Sequence, residues 1–328
     1  MGRYIIYGAG GIGGAIGASL HQHGFDVTLI ARGRHLAAMQ RDGLRLRQPG
    51  GDAVIRVHAV AHPREITYAP GDVVIFTMKS QDTAEALFAL REAAGSRIPV
   101  VMCQNGVANE SMAARLFTDV YAMLVYMPTT HLEPGVVIAE SKTVIGVLDA
   151  GCYPRGIDDT ITSVCDALRR ANFHAEPDPQ VMRLKYAKLL VNLGNAVQGL
   201  LGLEADTKAI GKALRAEAIA CFDAAGIDYM TVPDMRAQHA GLIEMGEVAG
   251  VSRGGGSTWQ SVMRGTGSIE ADYLNGEIVL LGKQFSIPTP YNAALRDLSV
   301  AAAKRGDTPG GMTPDEFMAH LEQYHGST

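Results

Sequence analysis

The stretch that most constrains this chain is its start. Arg3–Tyr7 is an apolar run of strand length, and Gly8-Ala-Gly-Gly-Ile-Gly13 follows it directly. A helix-compatible stretch, Gly14 to His23, comes next. A strand, a G-x-G-x-x-G turn and a helix in that order set a pyrophosphate on a helix N-terminus. Gly8 is suited to the tight turn, Gly10 to close approach of the backbone to the phosphates, and Gly13 to close packing of helix on strand. Ala9, Gly11 and Ile12 complete the dinucleotide turn. The free N–H groups and the dipole of the helix start attract the anion. The pattern by itself is permissive, because 38 of the 328 residues are Gly. Its strand-turn-helix context carries the reading.

Asp26–Ala31 reads as a second strand, ending at Arg32-Gly-Arg-His35. Where such units bind NAD, an Asp or Glu at the end of strand two accepts bonds from the ribose hydroxyls. Arg32 stands there instead, with Arg34 just beyond. A guanidinium pairs with a 2′-phosphate through charge-assisted bonds, so NADP is favoured over NAD. The plainer alternative is that both arginines start a solvated helix over 34–41.

Residues 43–48 and 53–60 alternate as a hairpin across Pro49–Asp52. Asp72–Thr77 reads as a buried parallel-type strand. It leads through Met78-Lys-Ser-Gln81 into a helix from Asp82 to Ala94, with Asp82 or Ser80 as cap. Ile98–Met102 is a further strand, followed by Gln104-Asn105-Gly106. Lys79 and Asn105 therefore sit at carboxyl ends of strands, where ligands of open parallel sheets bind. A helix-start lysine and a simple turn are the competing readings. Residues 121–148 suggest antiparallel strands extending the sheet, 158–172 a helix and 173–176 a short strand. Pro177-Asp178-Pro179 breaks the chain and marks a boundary between domains at 1–178 and 179–328.

Beyond Pro179 the pattern is helical, over 181–203, 209–225, 233–249, 267–285 and 291–305. In the first of these, Lys188, Asn192 and Asn195 stand at i, i+4 and i+7 and share a face. A lysine among Leu189, Leu190, Val191 and Leu193 is expected to be partly buried, which lowers its pKa and makes it a better proton donor. Two amides on the same stripe can orient a small polar substrate. A polar stripe at a helix–helix interface or facing water is the alternative. A second cluster runs from Ser257 to Gly276. Its Ser268, Glu270 and Asp272 fit a helix N-terminus, or Glu270 holds the Lys188 ammonium. His131, beside Thr129 and Thr130, reads as structural or exposed.

Composition narrows the class. A length of 328 residues suits two domains, and a net charge of −5 argues against nucleic acid as the main partner. Cys103, Cys152, Cys165 and Cys221 show neither metal spacing nor a secreted framework, which favours a reduced cytoplasmic setting. No histidine spacing invites a metal, no apolar run reaches transmembrane length, and there is no G-x-S-x-G elbow. The apolar helices fit a homodimer interface and a buried core equally well.

In order along the chain, Gly8–Gly13, Arg32, Lys79, Gln104-Asn105-Gly106, Lys188-Leu-Leu-Val-Asn192, Ser257 and Glu270–Gly276 resemble the ketopantoate reductase (2-dehydropantoate 2-reductase) family. The resemblance implies an α/β fold: a Rossmann-type N-terminal domain with a mostly parallel sheet, an all-α C-terminal domain, and a site in the cleft between them. It implies NADPH-dependent reduction of a small 2-oxo acid to a 2-hydroxy acid, by default 2-dehydropantoate to pantoate. It also implies roles: Arg32 on the 2′-phosphate, Lys79 at the cofactor and substrate edge, Asn105 near the nicotinamide, Lys188 as general acid, Glu270 as its support, Asn192 and Ser257 on substrate. Two features depart from the family pattern. A second asparagine belongs at Ala196, whereas the nearest here is Asn195, about 100° around a helix. The segment between Ser257 and Glu270 is also slightly longer. Both changes touch the substrate side and point to a branch acting on another 2-oxo or hydroxy acid. A protein that senses the dinucleotide without turnover is the reading from a different class. It leaves the Lys188, Asn192, Ser257 and Glu270 set without purpose.

Overall fold

The computed structural model describes residues 2–250, 259 and 267–324. Two compact units form. The first comprises Met1–Gln104, Asn109–Lys185 and Pro233–Val251, and the second Asn105–Ala108, Tyr186–Val232 and Ser252–Thr328. The first unit thus takes up residues beyond 178. In chain order it carries β1 (Tyr4–Tyr7), α1 (Gly11–Gln22), β2 (Val27–Ile30), α2 (Gly33–Asp42), β3 (Leu44–Gln48), β4 (Gly51–Ile55) and β5 (His58–Val60). It continues with β6 (Val73–Phe76), α3 (Thr83–Ala94), β7 (Val100–Met102), α4 (Ala108–Ala114), β8 (Val120–Met123), β9 (Thr129–Thr130), β10 (Val136–Ala139), β11 (Ala150–Cys152) and α5 (Asp159–Arg170).

Seven strands form the main sheet in the order β11-β8-β7-β6-β1-β2-β5. Every neighbouring pair is parallel except β11 with β8. The chain begins at β1 in the middle, moves outward through β2 and β5, then restarts at β6 and moves the other way. The direction switches between β1 and β6, and ligands of such sheets sit beyond the carboxyl ends at that point. Both faces are covered. Ile5, Val74, Phe76 and Met102 join Leu87 and Leu90 of α3 in one core. Ile6, Leu29 and Ile75 join Ile16 and Leu20 of α1 and Leu168 of α5 in the other. Strands buried on both faces have no polar side to alternate, so they read as unbroken apolar runs.

A second sheet has the order β4-β3-β10-β9. It corrects two expectations. The hairpin closes over β3 and β4, while β5 leaves to pair with β2 in the main sheet. After residue 120, β8 joins the main sheet parallel to β7, β9 and β10 go to the second sheet, and only β11 adds an antiparallel edge. Period-2 alternation marks which residues are strand but not which strand they pair with.

The remaining α-helices among the described residues are α6 (Val181–Asn192), α7 (Asn195–Leu201), α8 (Lys208–Ala225), α9 (Val232–Gln238), α10 (Asn275–Phe285), α11 (Pro290–Arg305) and α12 (Pro314–Leu321). In the second unit α8, α10 and α11 pack together, burying Leu214, Phe222, Ile278 and Leu295. The single helix expected over 181–203 is broken at Leu193-Gly194. The Leu193 carbonyl accepts from Asn275 Nδ2 at 3.3 Å. Leu190, Leu193, Val197 and Leu200 are buried on both sides of the break, so apolar periodicity runs straight through it. Two other helices are shorter than their periodicity suggests. α9 ends at Gln238, and residues 244–246 instead bond to the main chain of Glu140 and Lys142. The stretch over 267–285 opens with a 3₁₀ turn at Glu270–Tyr273 before α10 begins. Among the described residues no helix is long and apolar enough to cross a membrane.

Candidate active site

The glycine turn is built from main chain. Gly8 has φ +105°, and a Cβ there would lie 2.6 Å from Met78 N, so turn and β6 end are in close approach. A Cβ on Gly13 would meet Thr77 Oγ1 at 2.3 Å and Gly8 O at 2.5 Å. Helix and strand therefore sit closer than any side chain permits. Gly10 is the N-cap of α1, and a Cβ there would meet nothing within 4 Å. The first helical bond runs from Gly14 N–H to Gly10 O. The N–H groups of Gly11, Ile12 and Gly13 precede it, at the end of the helix that favours an anion. The first turn has no acidic residue. This open, donor-lined space fits a dinucleotide pyrophosphate.

Two residues not singled out from sequence pin the turn. Thr77 Oγ1 donates to Gly8 O at 2.8 Å. His35, on α2, donates from Nε2 to Ala9 O at 2.7 Å and accepts at Nδ1 from Gly135 N–H at 2.8 Å. Those two bonds require a neutral ring. Burial, with the His131 ring tilted against it at 4.1 Å, pushes the His35 pKa down to about 4. A lone histidine at the start of a surface helix carries no sequence signal for this.

Arg32 is exposed at the end of β2, as placed from sequence, but it is paired with Asp82 at 3.2 Å. A 2′-phosphate there would exchange with that carboxylate. Asp82 pairs with Arg32, and its side chain makes no cap bond to α3; the turn over Ser80–Asp82 leads directly into α3. Lys79 is half-buried at the end of β6. The loop that holds it is tied down by a buried polar chain. Gln104 Nε2 donates to Met78 O and Thr83 Oγ1 at 2.8 and 2.7 Å, Thr83 Oγ1 to Asn109 Oδ1 at 2.9 Å, and Asn109 Nδ2 to Ser80 Oγ at 3.1 Å.

Where α6 begins, the first unit holds a buried ion pair. Lys185 is 3 % exposed and Glu110 0 %. Lys185 Nζ is 2.6 Å from Glu110 Oε1 and donates to the carbonyls of Gln104 at 2.8 Å and Met123 at 3.2 Å. The carboxylate contact is close but poorly directed, since neither Glu110 oxygen has a well-formed hydrogen bond. The lysine sealed among the apolar residues of α6 is therefore Lys185. Lys188, one turn later, is half-buried.

In the second unit, Asn192 Nδ2 donates to Asn105 Oδ1 at 2.9 Å. Two residues picked 87 positions apart in sequence are hydrogen-bonded partners. The Asn105-Gly106 turn is itself tight, because Gly106 has φ +81° and a Cβ there would meet Tyr273 O at 3.1 Å. Asn275, wholly buried, holds Leu193 O and bonds Asn292 Oδ1 at 3.0 Å. Asn292 in turn donates to Glu217 Oε2 at 2.7 Å. Glu270 is buried in its 3₁₀ turn. Asn195 is half-buried at the start of α7, so the break at Leu193-Gly194 separates it from the helix that carries Lys188 and Asn192. Ser257 lies outside the described residues.

Two family descriptions match the chain. Ketopantoate reductase PanE/ApbA covers residues 4–150, and ketopantoate reductase PanE/ApbA C terminal covers 180–302. The chain belongs to the ketopantoate reductase family. It is an oxidoreductase of that type. A similar relative is the 2-dehydropantoate 2-reductase of Pyrococcus horikoshii, 31 % identical over 190 residues. That alignment spans 58 % of this chain and 60 % of the relative. The crystal structure of a PanE/ApbA family ketopantoate reductase from Ralstonia eutropha superposes with a TM-score of 0.76 at 28 % identity, over 93 % of this chain and 99 % of that one. D-mandelate dehydrogenase, solved with NADH and anilino(oxo)acetate, shares the fold at a TM-score of 0.79 and 21 % identity, over 93 % and 99 % of the two chains.

Proposed function

We propose that this family member reduces a small 2-oxo acid to a 2-hydroxy acid with NADPH, 2-dehydropantoate being the default substrate. The observation that carries the reading is the Asn192–Asn105 bond, one helical turn after Lys188, in a chain matched by the family over both units. When bound, the reduced nicotinamide supplies a hydride. The N–H groups of Gly11, Ile12 and Gly13 hold the pyrophosphate, with Ala9 fixed by His35. Arg32 exchanges Asp82 for the 2′-phosphate, and Lys79 closes the cofactor edge. Lys188 donates a proton from Nζ to the substrate carbonyl oxygen and stabilises the charge that develops there. Asn192, oriented by Asn105, holds the substrate together with Ser257 and Asn195, and Glu270 supports the lysine.

A second reading, another 2-oxo or hydroxy acid, is favoured by Ala196. Its side chain is 2 % exposed and lines a small pocket with Gly199, Leu200, Ile269, Ser299 and the polar Arg305 and Asp307. The place the family pattern gives to an amide is apolar here. The test is NADPH consumption over a panel of 2-oxo acids that includes 2-dehydropantoate and bulkier acids. Fastest turnover on 2-dehydropantoate supports the default, and faster turnover on a bulkier acid supports the second reading. No turnover on any acid, with NADPH still bound, would leave only a sensor. In the same assay Arg32→Glu should weaken NADPH about tenfold or more and leave NADH within about threefold; equal losses would remove Arg32 as the phosphate reader.

A further inference from the structure

Asp149, His174 and His239 converge in the first unit from three separate segments, before β11, after α5 and after α9. His239 Nε2 lies 2.7 Å from Asp149 Oδ2, and His174 Nε2 lies 3.4 Å from Asp149 Oδ1. One donor atom from each residue falls within 4.8 Å of the others. We propose that this cluster binds a transition-metal dication of the zinc class.

The donor chemistry, the spacing and the surroundings support the assignment. Two imidazoles and a carboxylate are a ligand set that Zn²⁺ takes, with a fourth position left for water. Bonds of about 2.0–2.2 Å place tetrahedral ligands about 3.3 Å apart. The His174 Nε2–Oδ1 spacing of 3.4 Å meets that already; His239 Nε2 faces the other oxygen, Oδ2, at 2.7 Å, and moves out by roughly half an ångström to admit an ion between the rings. Asp149 is 1 % exposed, so its carboxylate needs a compensating charge, and its ion-pair partners are these two imidazoles. Neutral imidazoles supply hydrogen bonds to that charge; a dication neutralises it. The outer shell is in place, because Glu176 N–H donates to Asp149 Oδ1 at 2.9 Å and fixes the carboxylate plane. An entry path exists along His174, whose side chain keeps 26 % exposure. On binding, each ring shifts its hydrogen to Nδ1 and coordinates through Nε2. The metal then ties His239, and the segment that carries it, to the residues flanking β11.

The test uses the full chain, stripped with a chelator, dialysed and titrated with Zn²⁺ in a calorimeter while thermal unfolding is followed in parallel. One site per chain and a rise in Tm are expected. His174→Gln and His239→Gln should each weaken binding by about 100-fold and abolish the rise. His21→Gln, at an exposed histidine elsewhere, should change neither. His174→Gln is the decisive variant, because it leaves the His239–Asp149 bond to hold the fold, and circular dichroism checks that it has. A wild-type chain with no stoichiometric site, or a folded His174→Gln chain that binds Zn²⁺ as tightly, overturns the proposal.

Discussion

The turn before α1 and the stretch around α6 present polar groups in opposite ways. The turn offers main-chain N–H groups and keeps side chains out; the space over Gly10 is open and the contact under Gly13 admits no Cβ. The α6 stretch offers side chains, and each rests on residues from elsewhere: Asn192 on Asn105, Lys185 on Glu110, the helix end on Asn275. Recognition by backbone demands room, and room is written locally as glycine. Recognition by side chains demands support, which is written wherever the fold brings it from. The two lysines of α6 sharpen the point. Lys185 spends its donors on buried partners, whereas Lys188 is half-buried and is the lysine we propose as the acid.

The largest expected effect tests that division. Lys188→Ala should lower turnover by about 10²–10⁴-fold while NADPH affinity stays within a few-fold, as measured by steady-state kinetics and fluorescence titration. Undiminished turnover would remove Lys188 as the acid. Glu110→Gln should act on the fold instead. It strands a buried ammonium, and urea unfolding should show a loss of about 3–5 kcal/mol. A loss below about 1 kcal/mol would mean that the main-chain carbonyls of Met102, Gln104 and Met123 suffice for Lys185.

Within the turn, two glycines should separate stability from binding. Gly13→Ala forces backbone and Thr77 apart, and should cost about 1–3 kcal/mol in the same unfolding experiment. Gly10→Ala should cost under about 1 kcal/mol yet weaken NADPH markedly, because its methyl would enter the open space. Unchanged NADPH affinity would put the pyrophosphate elsewhere. The smallest effect concerns His35. Its folded pKa, about 4, lies below the ordinary 6.5. The unfolded chain therefore binds a proton first as the pH falls, and stability present above about 6.5 is lost between there and about 4. Tm should fall less steeply over that window in His35→Gln than in the wild-type chain. Parallel slopes would show that the His35 bridge does not report on the turn.

The fold was legible where a local rule suffices. Apolar runs of strand length, the glycine turn and the position of Arg32 after β2 each depend on a few adjacent residues, and all appear where the chain pattern places them. Pairing and interruption were not. The 58–60 strand alternates as well beside β4 as beside β2, and only the sheet decides. The break at Leu193-Gly194 is invisible to periodicity because both helices bury the same kind of residue, and what holds it is the amide of Asn275 from a distant segment. That break puts Asn195 on a different helix from Lys188.

By itself, then, the sequence determined the α/β architecture, the strand–glycine turn–helix at its start and the membership of this family. Those features follow from steric room and hydrophobic period, which act between near neighbours. The tertiary structure alone decided that Asn105 and Asn192 are bonded, that Lys185 rather than Lys188 is sealed in, and that Asp149, His174 and His239 meet. Each of these is a contact between residues far apart in the chain. Its energy depends on distance and burial, and neither exists until the chain has folded.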